Sequence, residues 1–142
     1  MLSIYNTLAR EKTPLKPIHP GQVRMYVCGM TVYDFCHLGH ARVMVVFDMV
    51  YRWLMAQGYQ VEYVRNITDI DDKIINRANQ MGIDPFALSA RYIEDFDQNL
   101  TDLNIKPATA KPRVSKTMPQ IIDFVNGLVQ RGYAYAATNG DV

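Results

Sequence analysis

A strand–helix–strand pattern between residues 23 and 67 is the strongest constraint on the fold. Residues 23–27 predict a short buried strand, and residues 61–67, which are rich in β-forming side chains, predict a second. Between them, from about Gly39 to Gln57, apolar residues recur every three or four positions, as one face of a helix requires. The size of this unit is typical of a βαβ crossover, so we predict an α/β fold with parallel strands.

The segments on either side of this unit are less regular. The first part of the chain, about 20 residues with three prolines, predicts an extended arm that turns into the fold at Gly21. The later segments predict, in order, a short helix after residues 68–73, a helix opened by Asp84 and Pro85, a linker at 107–112, a helix over 121–128 and a strand that begins at 133–136.

Composition excludes several classes of protein. With 142 residues, 49% of them hydrophobic, the chain can bury a core, and its net charge of +1 is not that of a protein whose whole surface binds nucleic acid. Two cysteines and an N-terminus unlike a secretory signal predict a cytoplasmic protein. The longest apolar segment, residues 43–55, contains Asp48 and Arg52, so we predict no helix that spans a membrane.

The densest group of reactive side chains lies between the first strand and the helix. In open α/β sheets the crevice beyond the carboxyl ends of the strands binds ligands, and the start of a helix there favours an anion such as phosphate. His37 and His40, three residues apart, can both donate hydrogen bonds to that anion. Gly39 between them allows a base or backbone to approach closely.

Three alternative interpretations of these residues stay open. Either histidine could be a helix cap or a surface residue, and either cysteine could be a small apolar side chain. Cys28, Cys36, His37 and His40 could instead form a self-contained zinc site. Their spacing, C-x7-C-H-x2-H, does not match common zinc fingers, and adjacent ligands at 36 and 37 would share one tetrahedron with difficulty.

The same residues carry a resemblance to a known family. Residues 25–29, 31–34 and 36–42, with residues 63–73 downstream, resemble the signature region of cysteinyl-tRNA synthetases, and His37-Leu38-Gly39-His40 resembles the His-Ile-Gly-His motif of class I synthetases. The motif span runs from Met30 to His40. Weaker similarities lie at residues 4–8 and 132–135, so the resemblance covers essentially the whole chain.

The resemblance implies a reaction and its substrates. Enzymes of this family join cysteine to ATP, with Mg, and then transfer the cysteinyl group to tRNA(Cys). By this likeness His37 and His40 are the catalytic residues that contact the ATP phosphates, and Gly39 lies against the adenine. No protein nucleophile is needed, because the cysteine carboxylate attacks the α-phosphate directly, and catalysis is positioning and charge stabilisation.

The resemblance also implies a zinc ion in the amino-acid pocket. Cys28 matches a zinc ligand of the family, and the remaining ligands lie outside this chain. Zinc binds thiolate readily, so an open zinc position selects cysteine over serine. Gly29, Thr68 and Asp69 match the surroundings of the bound amino acid. On propensity alone, Thr68 or Asp69 is also an ordinary N-cap, and Asp71 and Asp72 suit a first helical turn.

The implied fold is the first half of a class I synthetase Rossmann-like nucleotide-binding domain with a parallel sheet, plus the start of an inserted domain. We expect residues 1–106 to belong to the first half, and residues 107–142 to continue it and begin the inserted (connective) domain. The family's Lys-Met-Ser-Lys-Ser motif is absent from the sequence, so we expect this chain alone to be inactive. Residues 113–116 depart from the family's usual Arg-Ala-Thr.

Two other functions remain as alternatives. One is a ligase of the same superfamily that couples cysteine to a glucosamine-inositol sugar. The other is a non-catalytic nucleotide-binding module.

Overall fold

The structure, a computed structural model, describes residues 2–142. These residues form four strands and four helices. In chain order they are β1 (Ser3–Asn6), β2 (Glu11–Pro14), β3 (Gln22–Val27), α1 (Leu38–Ala56), β4 (Gln60–Arg65), α2 (Asp72–Met81), α3 (Pro85–Asp102) and α4 (Val114–Gln130).

The predicted strand–helix–strand unit is confirmed. Strands β3 and β4 pair in parallel, with Val23 opposite Val61 and Val27 opposite Arg65, and α1 connects them. Helix α1 packs on β4 through Tyr51, whose ring centroid lies 5.2 Å from that of Tyr63. The α/β prediction therefore holds, and α1 begins one residue before the predicted start.

The main core includes the segments that follow the carboxyl ends of these strands. Met30 and Val32, from the segment after β3, and Ile67, from the segment after β4, are buried there. They pack with buried residues from three helices: Met44, Ile74, Ala78, Leu88, Tyr92, Ile93, Phe96 and Leu100. The loops that carry the candidate site are thus part of the hydrophobic core, and burial fixes their course.

The predicted linker runs alongside β4. The Arg65 amide donates to the Ala110 carbonyl at 3.1 Å, and the Ile67 amide donates to the Pro112 carbonyl at 2.8 Å. Bridges of parallel type join Val64 to Ala110 and Ile67 to Arg113. Strand β4 therefore has hydrogen-bond partners on both sides, and the division of the chain near residue 106 remains a prediction.

Two predictions about the ends of the chain are wrong. The expected extended arm is an antiparallel hairpin of β1 and β2, closed by the Asn6 side chain, which accepts from the Leu8 amide at 3.0 Å. The expected strand at 133–136 does not form. Gly132, at φ 74°, ends α4, and Tyr133 and Tyr135 are each 80% exposed, with no strand beside them among residues 2–142.

Helix α4 lies at the surface. None of its residues is buried, although its apolar periodicity is strong enough to predict the helix. Within residues 2–142, every helix is too short or too polar to cross a membrane.

Candidate functional site

A one-residue bulge in the β3–β4 ladder shapes the candidate site. The regular pairing stops at Val27 opposite Arg65, and a parallel bridge resumes at Thr31 opposite Thr68. Between these pairs three residues, 28–30, face only two, 66 and 67. The segment that contains Cys28 therefore bends out of the ladder at its carboxyl edge.

The bulge requires a glycine at position 29. A Cβ built on Gly29 would lie 1.5 Å from the Asn66 carbonyl oxygen, a distance that only a shift of one backbone could relieve. The Gly29 amide donates to the Asn66 side-chain oxygen at 2.7 Å. Gly29 is thus needed for the close approach of two backbones, which is compatible with its predicted place in an amino-acid pocket.

Both the backbone and the side chain of Thr68 form hydrogen bonds. Its amide donates to the Met30 carbonyl at 3.2 Å, and its carbonyl accepts from the Val32 amide at 3.2 Å. Its hydroxyl oxygen accepts from the Asn66 side-chain nitrogen at 3.2 Å. The structure thus brings Gly29 and Thr68 together around Asn66, which is not one of the predicted site residues. Its one sequence signal is that it is a polar residue directly after a buried strand.

The two histidines of the motif cap α1. His37 is the N-cap, and its Nδ1 accepts from the Gly39 amide at 3.1 Å, while Nδ1 of His40 accepts from the His37 amide at 3.3 Å. Their rings stack with centroids 3.8 Å apart. The capping interpretation is therefore confirmed for His37, and it does not exclude phosphate binding.

Capping also selects the tautomer of each ring. A nitrogen that accepts a hydrogen bond carries no proton, so the proton of each neutral imidazole lies on Nε2. Burial and the nearby His37 lower the pKa of His40, which favours its neutral form. The start of α1 thus presents two Nε2–H donors beside backbone amides at the positive end of the helix dipole. Gly39 makes room for the His37 ring, since a Cβ there would lie 2.9 Å from its Cε1 atom.

The rest of the motif is anchored to α2 and α3. The Asp34 carboxylate lies 3.8 Å from an Arg77 guanidinium nitrogen, and the Phe35 ring meets the Tyr92 ring edge to face with centroids 5.2 Å apart. These contacts hold the loop between β3 and α1 against the core, so α1 starts from a fixed point.

The two cysteines lie in different environments. Cys28 is exposed, whereas Cys36 is partly buried against the main core. Burial, with a smaller contribution from the negative charge of Asp95, raises the pKa of Cys36 and keeps its sulfur protonated. No group of three or more His, Cys, Asp or Glu side chains in residues 2–142 could hold a metal ion, so the self-contained zinc site is wrong for the described chain. The exposed thiol of Cys28 fits a single zinc ligand in a site completed by other residues.

The acidic residues after β4 include a helix cap and a buried hydrogen-bond acceptor: the capping interpretation is confirmed for Asp71 and is wrong for Asp69. Asp71, not Thr68 or Asp69, is the N-cap of α2 and accepts from the Lys73 amide at 2.8 Å. Asp69 is buried, and its carboxylate accepts from the Ser115 amide at 2.9 Å and from the Ser115 hydroxyl at 2.5 Å. The segment that departs from the family pattern thus contains the partner of Asp69.

Comparison with known proteins gives the same family along nearly the whole chain. The sequence model of the family described as tRNA synthetases class I (C) catalytic domain matches residues 14–142. A protein named Cysteine--tRNA ligase from Janthinobacterium sp. (strain Marseille) is 57% identical over 141 residues, which are 99% of this chain and 30% of the relative. Proteins of the same name from Cupriavidus necator and Laribacter hongkongensis are each 56% identical over 142 residues, which are 100% of this chain and 31% of each relative. The chain thus spans about 30% of the length of these curated relatives.

The fold is shared with solved structures, as one example shows. The crystal structure of the ternary complex of Agrobacterium radiobacter K84 agnB2 LeuRS-tRNA-LeuAMS matches with a TM-score of 0.66, at 21% identity, over 82% of this chain and 15% of that chain.

The close approach at Gly29 generates a stability prediction. Gly29→Ala is expected to lower the free energy of unfolding by about 2–4 kcal/mol, because the new Cβ forces the bulge away from Asn66. Gly127→Ala is the matched control, since a Cβ there meets no atom within 4 Å and alanine favours the interior of α4 by about 0.5–1 kcal/mol. Urea denaturation of both variants measures the difference, and equal stability of the two would contradict the assigned contact.

Proposed function

The chain belongs to the class I tRNA synthetase (C) catalytic domain family, and on that premise we propose that the protein containing it activates cysteine with ATP and transfers the cysteinyl group to tRNA(Cys). The supporting observation is the 57% identity, over 99% of the chain, with a protein named Cysteine--tRNA ligase. The names of the relatives favour this reaction over the cysteine–sugar ligase and the non-catalytic module. Since ATP and tRNA are cytoplasmic substrates, the proposal includes a cytoplasmic location.

The start of α1 is the proposed ATP site. The Nε2–H groups of His37 and His40 bind phosphate oxygens, and Gly39 lies against the adenine. An oxygen of the cysteine carboxylate forms a bond to the α-phosphorus, and the bond from that phosphorus to the bridging oxygen breaks. Pyrophosphate is the leaving group. Donors fixed in advance by capping stabilise the charge that develops on the phosphate oxygens without having to reorganise.

The bulge is the proposed amino-acid site. Cys28 would supply one thiolate ligand to a zinc ion whose other ligands lie outside this chain, and such an ion would offer a position that prefers a thiol to a hydroxyl. Gly29 and Thr68 contact the substrate. Asp69, whose carboxylate is bonded to Ser115, supports Thr68 from the adjacent position.

The domain division is part of the same proposal. Residues 1–106 belong to the first half of the nucleotide-binding domain, and residues 107–142 continue it and begin the inserted domain. Because the chain spans about 30% of its relatives, the chain by itself is proposed to be an incomplete catalytic fragment.

Pyrophosphate exchange tests the proposed reaction. The full-length protein is expected to exchange labelled pyrophosphate into ATP in a manner that depends on cysteine, whereas residues 1–142 alone are expected to show no exchange. Serine in place of cysteine is the control substrate. Exchange that is equally fast with serine, or absent with cysteine, would refute the proposed substrate, and exchange by the short chain would refute its incompleteness.

The two cysteines allow a matched test of the zinc site. In the full-length protein, Cys28→Ser is expected to reduce both bound zinc and the preference for cysteine over serine by at least about tenfold, because a hydroxyl is a poor zinc ligand. Cys36→Ser is the control and is expected to keep both, since Cys36 packs against the core. Zinc is measured by atomic emission and selectivity by exchange. An unchanged preference in Cys28→Ser would remove Cys28 from the pocket.

Two histidine substitutions, one in the motif and one outside it, test the phosphate site. His40→Ala is expected to slow the activation step by about 10²–10³-fold, the usual cost of losing one fixed donor to a developing charge. Zinc content should stay the same. His19→Ala is the control, because His19 is exposed in the segment before β3. Single-turnover formation of the cysteinyl adenylate measures the step, and an unaltered rate in His40→Ala would exclude its role at the phosphates.

A further inference from the structure

The Asn66 side chain connects the two segments of the proposed amino-acid site. Its oxygen accepts from the Gly29 amide at 2.7 Å, and its nitrogen donates to the Thr68 hydroxyl oxygen at 3.2 Å. A backbone amide can only donate, so the orientation of the carboxamide is fixed by its partner at Gly29. One side chain therefore links the Gly29 amide to the Thr68 hydroxyl.

The bond to Thr68 also determines what its hydroxyl can offer. A hydroxyl that accepts from an amide nitrogen must direct its own proton to another acceptor. In the proposed reaction that acceptor is the bound amino acid. Asn66 thus keeps the Thr68 hydroxyl as a donor towards the substrate, and does so without touching the substrate itself.

The backbone around the two Asn66 hydrogen bonds has little freedom to adjust. Thr68 is bonded on both sides of its peptide to Met30 and Val32, and the Gly29 and Asn66 backbones approach too closely for a Cβ between them. A change in the Asn66 side chain therefore alters the hydrogen bonds of the pocket while the two main chains stay in place.

From this geometry we propose that Asn66 is a positioning residue for cysteine: its carboxamide, oriented by the Gly29 amide, directs the Thr68 hydroxyl towards the substrate. The inference rests on the proposed function and adds a residue to it.

An isosteric substitution in the full-length protein separates the two bonds. Asn66→Asp keeps an oxygen to accept from Gly29 but replaces the donor to Thr68 with a second acceptor, so the Thr68 hydroxyl turns to the new carboxylate. The KM for cysteine in pyrophosphate exchange is expected to rise about three- to tenfold, the usual consequence of one lost hydrogen bond, while the KM for ATP changes less than about twofold. Bound zinc, measured by atomic emission, is expected to match that of the unsubstituted protein.

A double-mutant cycle distinguishes positioning from a general loss of structure. In a Thr68→Val background Asn66→Asp is expected to have no further effect on the KM for cysteine, since the hydroxyl it acts through is gone. Asn66→Ala removes both bonds without adding a charge and is expected to raise this KM at least as much. If Asn66→Asp does not fold, the KM for cysteine of Asn66→Ala is measured in its place. Asn126→Asp, at an exposed position of α4, is the matched control for the change of charge.

The outcomes are distinct. A KM for cysteine unchanged in both Asn66 variants, or a rise that persists in full with Thr68→Val, would overturn the role of Asn66 while the unsubstituted protein still showed cysteine-dependent exchange. Equal rises in KM for cysteine and ATP would also overturn it, because they indicate a general distortion. Absence of cysteine-dependent exchange by the unsubstituted protein would overturn the proposed function and this inference with it.

Discussion

The parallel pairing of β3 with β4, interrupted by one extra residue, is the constraint on which the rest of the site depends. Strand β4 is bonded to β3 on one side and to residues 109–113 on the other, so its carboxyl end cannot shift independently of either. Because the extra residue has no partner in the ladder, the segment that contains Cys28 and Gly29 forms the bulge. A rigid strand end thus holds Thr68, and a bulge that only glycine allows brings the neighbouring turn against it.

At the start of α1, structural and chemical roles are carried by the same side chains. Histidine is not among the preferred N-cap residues, yet here the His37 Nδ1 accepts from the Gly39 amide of the first turn, and the His40 Nδ1 accepts from the amide of the N-cap residue itself. That use leaves Nε2–H as the donor in each neutral ring. The cap that stabilises the helix therefore also orients two donors at its positive end, which makes the capping and phosphate-binding interpretations complementary rather than exclusive.

What the sequence could predict here follows from the range of the interactions. Strands β3 and β4 and helix α1 come from local apolar patterns, and these elements form close to where the patterns place them. The partners Asn66 and Ser115 were missed because they act on residues 37 and 46 positions away, where no local pattern signals a contact. The pairing of residues 109–113 with β4 was missed for the same reason. The strand expected at 133–136 has β-forming residues but no neighbouring strand to bond among residues 2–142, so propensity alone did not suffice.

Through the Asp69–Ser115 hydrogen bonds, the segment after β4 also attaches the first turn of α4. The side chain of Arg113, the N-cap of α4, makes no capping hydrogen bond, and Asp69 supplies the acceptor from a distant part of the chain. Because α4 buries none of its residues, its first turn is where hydrogen bonds attach it, through Asp69 and through the Ile67 carbonyl, which accepts from the Val114 amide at 3.2 Å. Ile67 and Asp69 flank Thr68. The residue that faces the proposed substrate therefore lies between the two attachment points of α4, and the proposed pocket and the proposed start of the inserted domain share a single strand end.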